Sequence, residues 1–453
     1  MLKELLTPEI VQFIRERQWA AMRDALVIWP PAEVADLLQS LEQPERVLLL
    51  RFLPRSFEAE VFSELTPKLQ DEMLGGLTNH EVRVLLAELN PDDRAALIDE
   101  MPAEVTRRLF NLLSPEDLKE TRWLLGYPEG SIGRVMTPNF VDIKAEMTVE
   151  EALSHIREYG RASETINVVF VVDEKGKLVD EVSLRHLILA PPETKVRAVM
   201  DGNIASLSGY CDQEEAVAMI KKYNYLALPV VDSAGILLGI VTIDDLMDVA
   251  EAEVTEDFHK LGAVSMEAGG EGPIESIREA AVSLLFRRRI GWLVLLVFIN
   301  VFSGFGILFF EEIIAAVVAL VFFMPLLVGC GGNAGSQSAT LLVRALATGD
   351  VKMDDLWKMF LKEFFVSLLL GLTMGAAVFG IAYFRGGTSV GIVVAVSMVL
   401  IVMASCIVGM LLPFVLQRFG KDPATASAPL ITSLADIGGI LIYFSIASKV
   451  IDL

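Results

Sequence analysis

The chain has 453 residues, 53% of them hydrophobic, with 60 acidic against 38 basic side chains for a net charge of −22 and a mean hydropathy of +0.50. A charge of that sign argues against nucleic acid or anionic lipid as a partner and suits cations, while three isolated cysteines, Cys211, Cys330 and Cys406, argue against a disulfide framework or a thiolate metal site. The average hides two unlike parts: residues 281–453 hold 9 acids and 11 Lys/Arg, a net of +2, which leaves −24 on residues 1–280. The start, MLKELLTPEIVQFIRERQ, is charged and amphipathic, with no apolar core and no small-residue cleavage site. No secretory signal is therefore expected, and the acidic part is placed in the cytosol.

Residues 1–130 read as short amphipathic helices joined by tight breaks, as in TPKLQDEMLGGL, NPDDRAALIDEM and SPEDLKETRWLL. Their Asn/Ser/Thr-Pro-Asp/Glu starts are N-cap and first-turn chemistry. A spacing of about 11–13 residues per helix predicts a helical superhelix.

An internal repeat follows over 132–250. VMTPNFVDIKAEMTVEEAL recurs as VMDGNIASLSGYCDQEEAV, which sets Glu150 and Glu214 64 residues apart. VVFVVDEKGKLVDEVSLRHL recurs as LALPVVDSAGILLGIVTIDDL, which sets Asp173 and Asp232 59 apart. Each copy reads strand, helix, β-hairpin, helix, with apolar runs ending in DEKG or DSAG turns. The arrangement resembles a tandem CBS pair. Such pairs generally bind adenine nucleotides or act as regulatory dimer modules, and a Ser/Thr-x-x-Asp element, whose carboxylate accepts from ribose hydroxyls, often holds the nucleotide. The candidate nucleotide contacts, for ATP, are Thr242 and Asp245 in the second copy and Ser183 and Arg185 in the first. The first copy departs from the pattern: His186 stands where the Asp would be, and Asp180-Glu181 replaces a usual Gly.

The next stretch, DDLMDVAEAEVTEDFHKLGAV, crowds acids onto a predicted helix, among them Asp245, Asp248 and Glu251 at spacings that share one face. Like charges at that density repel, so cations are expected to stabilise its packing against another acidic surface. It leads into Arg287, Arg288 and Arg289 and the first of five apolar stretches, approximately 290–310, 313–332, 365–384, 390–416 and 426–447. Each is long enough to cross a bilayer. Only Glu311 and Glu312 separate the first two, which predicts a tight hairpin. Lys and Arg concentrate before the first stretch, between the second and third, and between the fourth and fifth. That bias places the N-terminus in the cytosol and the C-terminus outside a plasma (inner) membrane.

Polar residues inside these stretches are few. Asp436 stands alone in the last, where a carboxylate at bilayer depth costs at least roughly 2.5–3.5 kcal/mol and so faces a polar pathway, a cation or a partner. Thr432 lies one helical turn before it, and Asp422 precedes the stretch. Asn333, Ser336 and Gln337 offer neutral oxygens after Gly329, Gly331 and Gly332, glycines that are expected to interrupt the helix. Pro429 is expected to free a carbonyl inside the last span. All four histidines lie outside the apolar stretches. The inventory therefore suits a hard cation such as Mg²⁺, Mn²⁺ or Ca²⁺ rather than zinc or copper. No nucleophile–base constellation points to an enzyme.

In order, an acidic helical domain, a CBS pair, an acidic connector and five spans resemble the MgtE family of magnesium transporters over essentially the whole chain. The resemblance is carried by GGNAGSQSATLLVRALATGD, EAEVTEDFHKLGAV and DPATASAPLITSLADIGGILIYFS. It implies an all-α superhelix over 1–130, an α/β CBS pair over 131–250, an acidic connecting (plug) helix over 251–285 and a five-span α-helical membrane domain over 286–453. It further implies a homodimeric Mg²⁺ channel-like transporter, with Mg²⁺ as both substrate and regulatory ligand. Ion selection would fall to Asp436, Asp422, Asn333, Thr432 and Gln337. The acids bridged by cytosolic Mg²⁺ in the closed state would be Asp92, Asp93, Asp212, Glu214, Asp245, Asp248, Glu253, Glu256 and Asp257. Two positions depart: Asn224 stands where relatives carry Asp, and Ala428 where some are polar. The alternative readings are a membrane Mg²⁺ sensor without transport and a transporter of Mn²⁺, Co²⁺ or Ca²⁺.

Overall fold

The structure is a computed structural model describing residues 18–202, 204–265 and 280–451, together with Ile10, Phe13 and Glu16. It divides into two compact units, Met1–Glu251 and Ala252–Leu453. The first opens with helices α1 (Trp19–Leu26), α2 (Pro31–Ser40), α3 (Gln43–Phe52), α4 (Arg55–Ser63), α5 (Pro67–Gly76), α6 (Asn79–Glu88), α7 (Pro91–Glu100), α8 (Ala103–Leu112) and α9 (Pro115–Leu124). From α2 onward they begin at residues 31, 43, 55, 67, 79, 91, 103 and 115, twelve apart. Proline occupies the first turn of α2, α3, α5, α7 and α9, where its missing N–H costs nothing. The apolar pairs Leu37–Leu38, Leu49–Leu50, Val61–Phe62, Met73–Leu74, Leu85–Leu86 and Leu97–Ile98 recur on the same period and are buried.

The period also settles where helix-end carbonyls find donors. Arg46 Nε donates to Leu38 O at 2.9 Å, Gln70 Nε2 to Phe62 O at 3.0 Å, Arg94 Nη1 to Leu86 O at 3.2 Å and Thr106 Oγ1 to Ile98 O at 3.3 Å. Each reaches eight residues back into the preceding helix, satisfying a group that a helix end leaves open. Helices pack on those two places along: α2 on α4, α3 on α5, α4 on α6, α6 on α8 and α7 on α9. The result is the expected superhelix.

A short helix, α10 (Ile132–Val135), leads to two repeats of one topology. The first holds β1 (Asp142–Ile143), α11 (Val149–Tyr159), β2 (Val168–Val172), β3 (Leu178–Ser183) and α12 (Leu184–Leu189). The second holds β4 (Leu207–Ser208), α13 (Gln213–Tyr223), β5 (Ala227–Val231), β6 (Leu237–Thr242) and α14 (Ile243–Leu261). Each sheet runs in sequence order, with a parallel first pair and an antiparallel second pair. Both hairpins turn as expected. Gly176 at φ 79° and Gly235 at φ 82° take the left-handed conformation, and Asp173 and Asp232 each accept two backbone N–H groups. Asn224 caps α13 at φ 56°, a left-handed position that Asn tolerates well. The acidic connector is continuous with the last helix of the second repeat, so α14 is one 19-residue helix. Residues 266–279 of the expected connector lie outside the described residues.

The second unit holds α15 (Val282–Phe309), a short α16 (Glu311–Ala316), α17 (Ala319–Ala347), the helical stretch Leu356–Arg418 and α20 (Ala428–Val450). As one helix the 63-residue stretch would run about 95 Å, three times a bilayer's hydrocarbon thickness. It breaks at Gly387, whose φ of 77° and ψ of −173° only glycine adopts readily. The break makes α18 (356–386) and α19 (388–418). Gly371 faces Val399, Gly375 faces Ala395 and Gly391 faces Phe379, the pattern of an antiparallel hairpin. Among the described residues, five helices of membrane length result.

Three local expectations are corrected. The first two spans are not joined by Glu311 and Glu312 alone, because those acids open α16 and the second long helix starts at Ala319. The glycines after residue 328 do not break α17, which is helical from Ala319 to Ala347. They serve close packing instead: a Cβ on Gly331 would meet Ile401 at 2.5 Å, and one on Gly409 would meet Gly335 O at 2.1 Å. Pro429 lies in the first turn of α20, where a proline frees no carbonyl inside the helix. These contacts predict that Gly409→Ala lowers stability by roughly 1–3 kcal/mol or more through overpacking against backbone. Gly329→Ala, where a Cβ meets nothing within 4 Å, is expected to be neutral. Thermal unfolding in detergent checks both.

Candidate functional site

Within the second unit, α17 and α20 approach closely because Gly332 carries no side chain; a Cβ there would stand 2.9 Å from Thr432 Cγ2. Across this contact Ser336 Oγ lies 3.3 Å from Thr432 Oγ1 and donates to Ala428 O at 3.3 Å. Thr432 Oγ1 also donates to Ala428 O at 2.9 Å. The helices thus present a small oxygen-rich seam, with Asp436 one turn further along α20. Asp436 is half-buried, and among the described residues no hydrogen bond or ion pair reaches its carboxylate. Asn333 and Gln337, one turn apart on α17, are exposed and likewise unpaired among the described residues. Hydrocarbon tolerates neither an unpaired carboxylate nor a stripe of open amides. This face therefore borders water, a cation or another chain.

Asp422 lies in the link between α19 and α20. Its Oδ1 accepts from Ala424 N at 2.7 Å, fixing the 3-10 turn Pro423–Thr425. Its Oδ2 is 2.5 Å from Lys260 Nζ, which also pairs with Glu256 one turn back on α14. Burial, with Asp422 next to it and Glu253 and Glu256 beyond, raises the Asp257 carboxyl to about 6. The structure thus brings Glu256, Asp257 and Asp422 together, and it adds Lys260, which composition alone did not mark.

The first unit gathers a second group of acids. Asp92 and Asp93 open α7; Glu164 follows α11; Asp245 and Asp248 lie in the first turns of α14, with Asp244 beside them. Asp92 Oδ1 is sealed from solvent with no hydrogen-bond partner among the described residues, and burial and then Asp93 and Asp245 push its carboxyl well up. Asp93 rises to about 6 through burial, then Asp245 and Glu64. Glu164 rises to about 7 through burial, then Asp245 and Asp93. Its Oε2 accepts from Asn90 Nδ2 at 2.9 Å. Burial also raises Asp245, Asp248 and Glu64, with Asp244 contributing to each. Among the described residues, no three of these groups converge closely enough to close around a bare ion as they stand. Glu64 and Glu164 escape a reading along the chain because they are isolated acids, brought in only by tertiary packing, whereas Asp244 belongs to the acidic run of the connector.

Other expected residues fall elsewhere. Asp212 caps α13 by accepting from Glu214 N at 2.9 Å. Thr242 Oγ1 donates to Asp245 Oδ2 at 2.5 Å. Ser183 caps α12 by accepting from His186 N at 3.4 Å, and Arg185 and His186 are exposed.

Comparison with known proteins agrees with this architecture. A family model described as a divalent cation transporter matches residues 324–446, one for the MgtE intracellular N domain matches 29–130, and the CBS domain matches 132–193 and 196–252. A magnesium transporter MgtE of Thermus thermophilus is 41% identical over 455 residues, covering 100% of both chains. One of Bacillus subtilis is 32% identical over 100% of this chain and 98% of its own. Among solved structures, the cytosolic domain of the Mg²⁺ channel MgtE in complex with ATP is 38% identical with a TM-score of 0.51, covering 54% of this chain and 100% of that one. The soluble part of a magnesium transporter is 29% identical with a TM-score of 0.53, covering 55% and 99%.

The raised carboxyls make the metal-free first unit pH-sensitive with a definite sign. Between roughly pH 4 and 7 the folded unit holds protons that the unfolded chain has lost, so its stability falls as pH rises through that window. In EDTA, residues 18–251 of the intact protein are expected to resist proteolysis better at pH 6 than at pH 8. Millimolar Mg²⁺ at pH 8 is expected to restore the protection. Equal cleavage under all three conditions would count against the acid group as a charge-sensitive contact.

Proposed function

We propose, for a chain that belongs to the MgtE family of magnesium transporters, that it carries Mg²⁺ into the cell through a path bordered by Asp436. Thr432, Asn333 and Gln337 supply neutral oxygens along that path, and Asp422 stands at its cytosolic mouth. The protein is a multi-pass membrane transporter with a cytosolic CBS region; direction and residue roles are the reading offered here. The observation that carries it is the half-buried Asp436 carboxylate, unpaired among the described residues, on the helix that packs Thr432 against α17, the helix of exposed Asn333 and Gln337. Mg²⁺ sheds water reluctantly and is held through one or two carboxylates with waters retained, which matches one Asp among neutral oxygens. A second copy of the chain would supply the facing wall and a second Asp436, and the resulting homodimer would place its N-termini in the cytosol and its C-termini outside.

Regulation follows from the acid group. Glu64, Asp92, Asp93, Glu164, Asp244, Asp245 and Asp248 repel one another when ionised, and cytosolic Mg²⁺ bound between them offsets that repulsion and favours the compact, closed state. Because the groups stand apart, hydrated ions suit them better than a tight cage. Glu253, Glu256 and Asp257 carry the same negative charge to the mouth. Shifting a gate from 1:99 to 99:1 takes about 5.5 kcal/mol of differential binding, which a group of this size supplies better than a single site. Asp212 and Glu214 are a further, separate pair on α13. The ATP held by the 38% identical relative supports nucleotide binding at Ser183, Arg185, Thr242 and Asp245. His186 and the Thr242–Asp245 hydrogen bond weaken both halves of that site, so affinity for ATP is expected to be low by equilibrium dialysis.

Asp436→Ala is expected to abolish Mg²⁺ uptake into liposomes and rescue of Mg²⁺-starved cells, while protein levels hold. Asp436→Asn is expected to keep the fold and lose at least tenfold in flux. Wild-type flux in Asp436→Ala would remove the assignment, and protein that transports no divalent cation at all would favour a sensor.

A further inference from the structure

We propose that Lys260 is a tethered cation that latches the C-terminal turn of α14 onto Asp422, holding the connector at the mouth of the membrane helices without any metal ion. The inference rests on the reading of α14 as part of the gate and adds to it a residue that acts in the absence of Mg²⁺.

Four observations carry it. Lys260 Nζ lies 2.5 Å from Asp422 Oδ2, across 162 residues of sequence. The two side chains are 28% and 36% exposed, so the pair is partly withdrawn from water and stronger than an ordinary surface pair. Asp422 is not free to swing away, because Ala424 N holds its other oxygen at 2.7 Å. Glu256, one turn back on the same helix, also pairs with Lys260, which fixes the ammonium between the two carboxylates.

The surroundings explain why a tether is needed. Glu253, Glu256 and Asp257 from α14 and Asp422 from the α19–α20 link set four carboxylates against one ammonium. Without Lys260, Glu256 and Asp257 at the end of α14 would face Asp422 with like charge, which disfavours docking. With it, less Mg²⁺ is needed to keep α14 docked. Lys260 is thus a positioning residue: it acts on flux by where it holds α14.

The test is Mg²⁺ flux of the full chain in liposomes as a function of Mg²⁺ on the cytosolic side. Lys260→Met is expected to raise the half-closing Mg²⁺ concentration at least about fivefold, the lower end of ordinary coupling between linked sites. Lys260→Arg, which keeps the charge, is expected to return it to within about twofold of wild type. An unshifted Met variant overturns the latch. So does a shift to lower Mg²⁺, which would mean that the ammonium competes with the metal instead of holding the helix. If the Met variant does not fold, zero-length carbodiimide coupling of the wild-type protein in EDTA decides. An amide between Lys260 and Asp422, found by peptide mass spectrometry, supports the latch, and its absence overturns it. Wild-type flux that ignores cytosolic Mg²⁺ would overturn the gating reading on its own, while the coupling result still reports on the contact.

Discussion

The cost of holding a carboxylate away from water without a matching cation governs both units of this protein. In a low-dielectric setting that cost outweighs any single packing contact, so a folded chain must pair the group, protonate it or leave it open to solvent or ions. Asp436 takes the last course at membrane depth. Asp92, Asp93 and Glu164 are shifted toward the second, with carboxyls raised by burial and by one another. Asp422 takes the first, through Lys260 and a backbone amide. One physical problem receives three local answers.

The scaffold that permits this is made of repetition and close approach. Twelve-residue spacing lets α3, α5, α7 and α8 each lend a side-chain donor to the end of the helix before, which helps short helices stack. That stack delivers the first turn of α7, with its two acids, to the first turns of α14. In the membrane helices the glycines do the equivalent work. Gly332 brings Thr432 against α17, and Gly335 and Gly409 bring α17 against α19, without which the polar seam beside Asp436 would be filled by side chains. Rigid packing around a few uncompensated charges is the arrangement a cation-dependent switch requires, because the ion's differential binding can then move whole elements.

Much of this was legible along the chain. The DEKG and DSAG turns, the offset repeats, the five apolar stretches and the lone Asp436 each rest on local pattern, and the described fold carries all of them. Local pattern misled where an element's ends mattered. Glycines that look like helix breakers lie inside a continuous α17, because neighbouring helices cover them, and Pro429 falls in a first turn where it is harmless. The acid group was legible only in part. Asp92, Asp93, Asp245 and Asp248 stand out in dense acidic runs, whereas Glu64 and Glu164 are single acids with unremarkable neighbours.

By itself, then, the sequence determined the architecture, the family and the presence of a carboxylate that the membrane does not tolerate unaided, because hydrophobic period, turn chemistry and charge density are all properties of neighbouring residues. Tertiary structure alone decided which acids confront one another, that Asp436 has no partner among the described residues, and that Lys260 spans to Asp422. Those depend on distances between residues far apart in the chain, and electrostatic energy follows distance and burial, which no local pattern records.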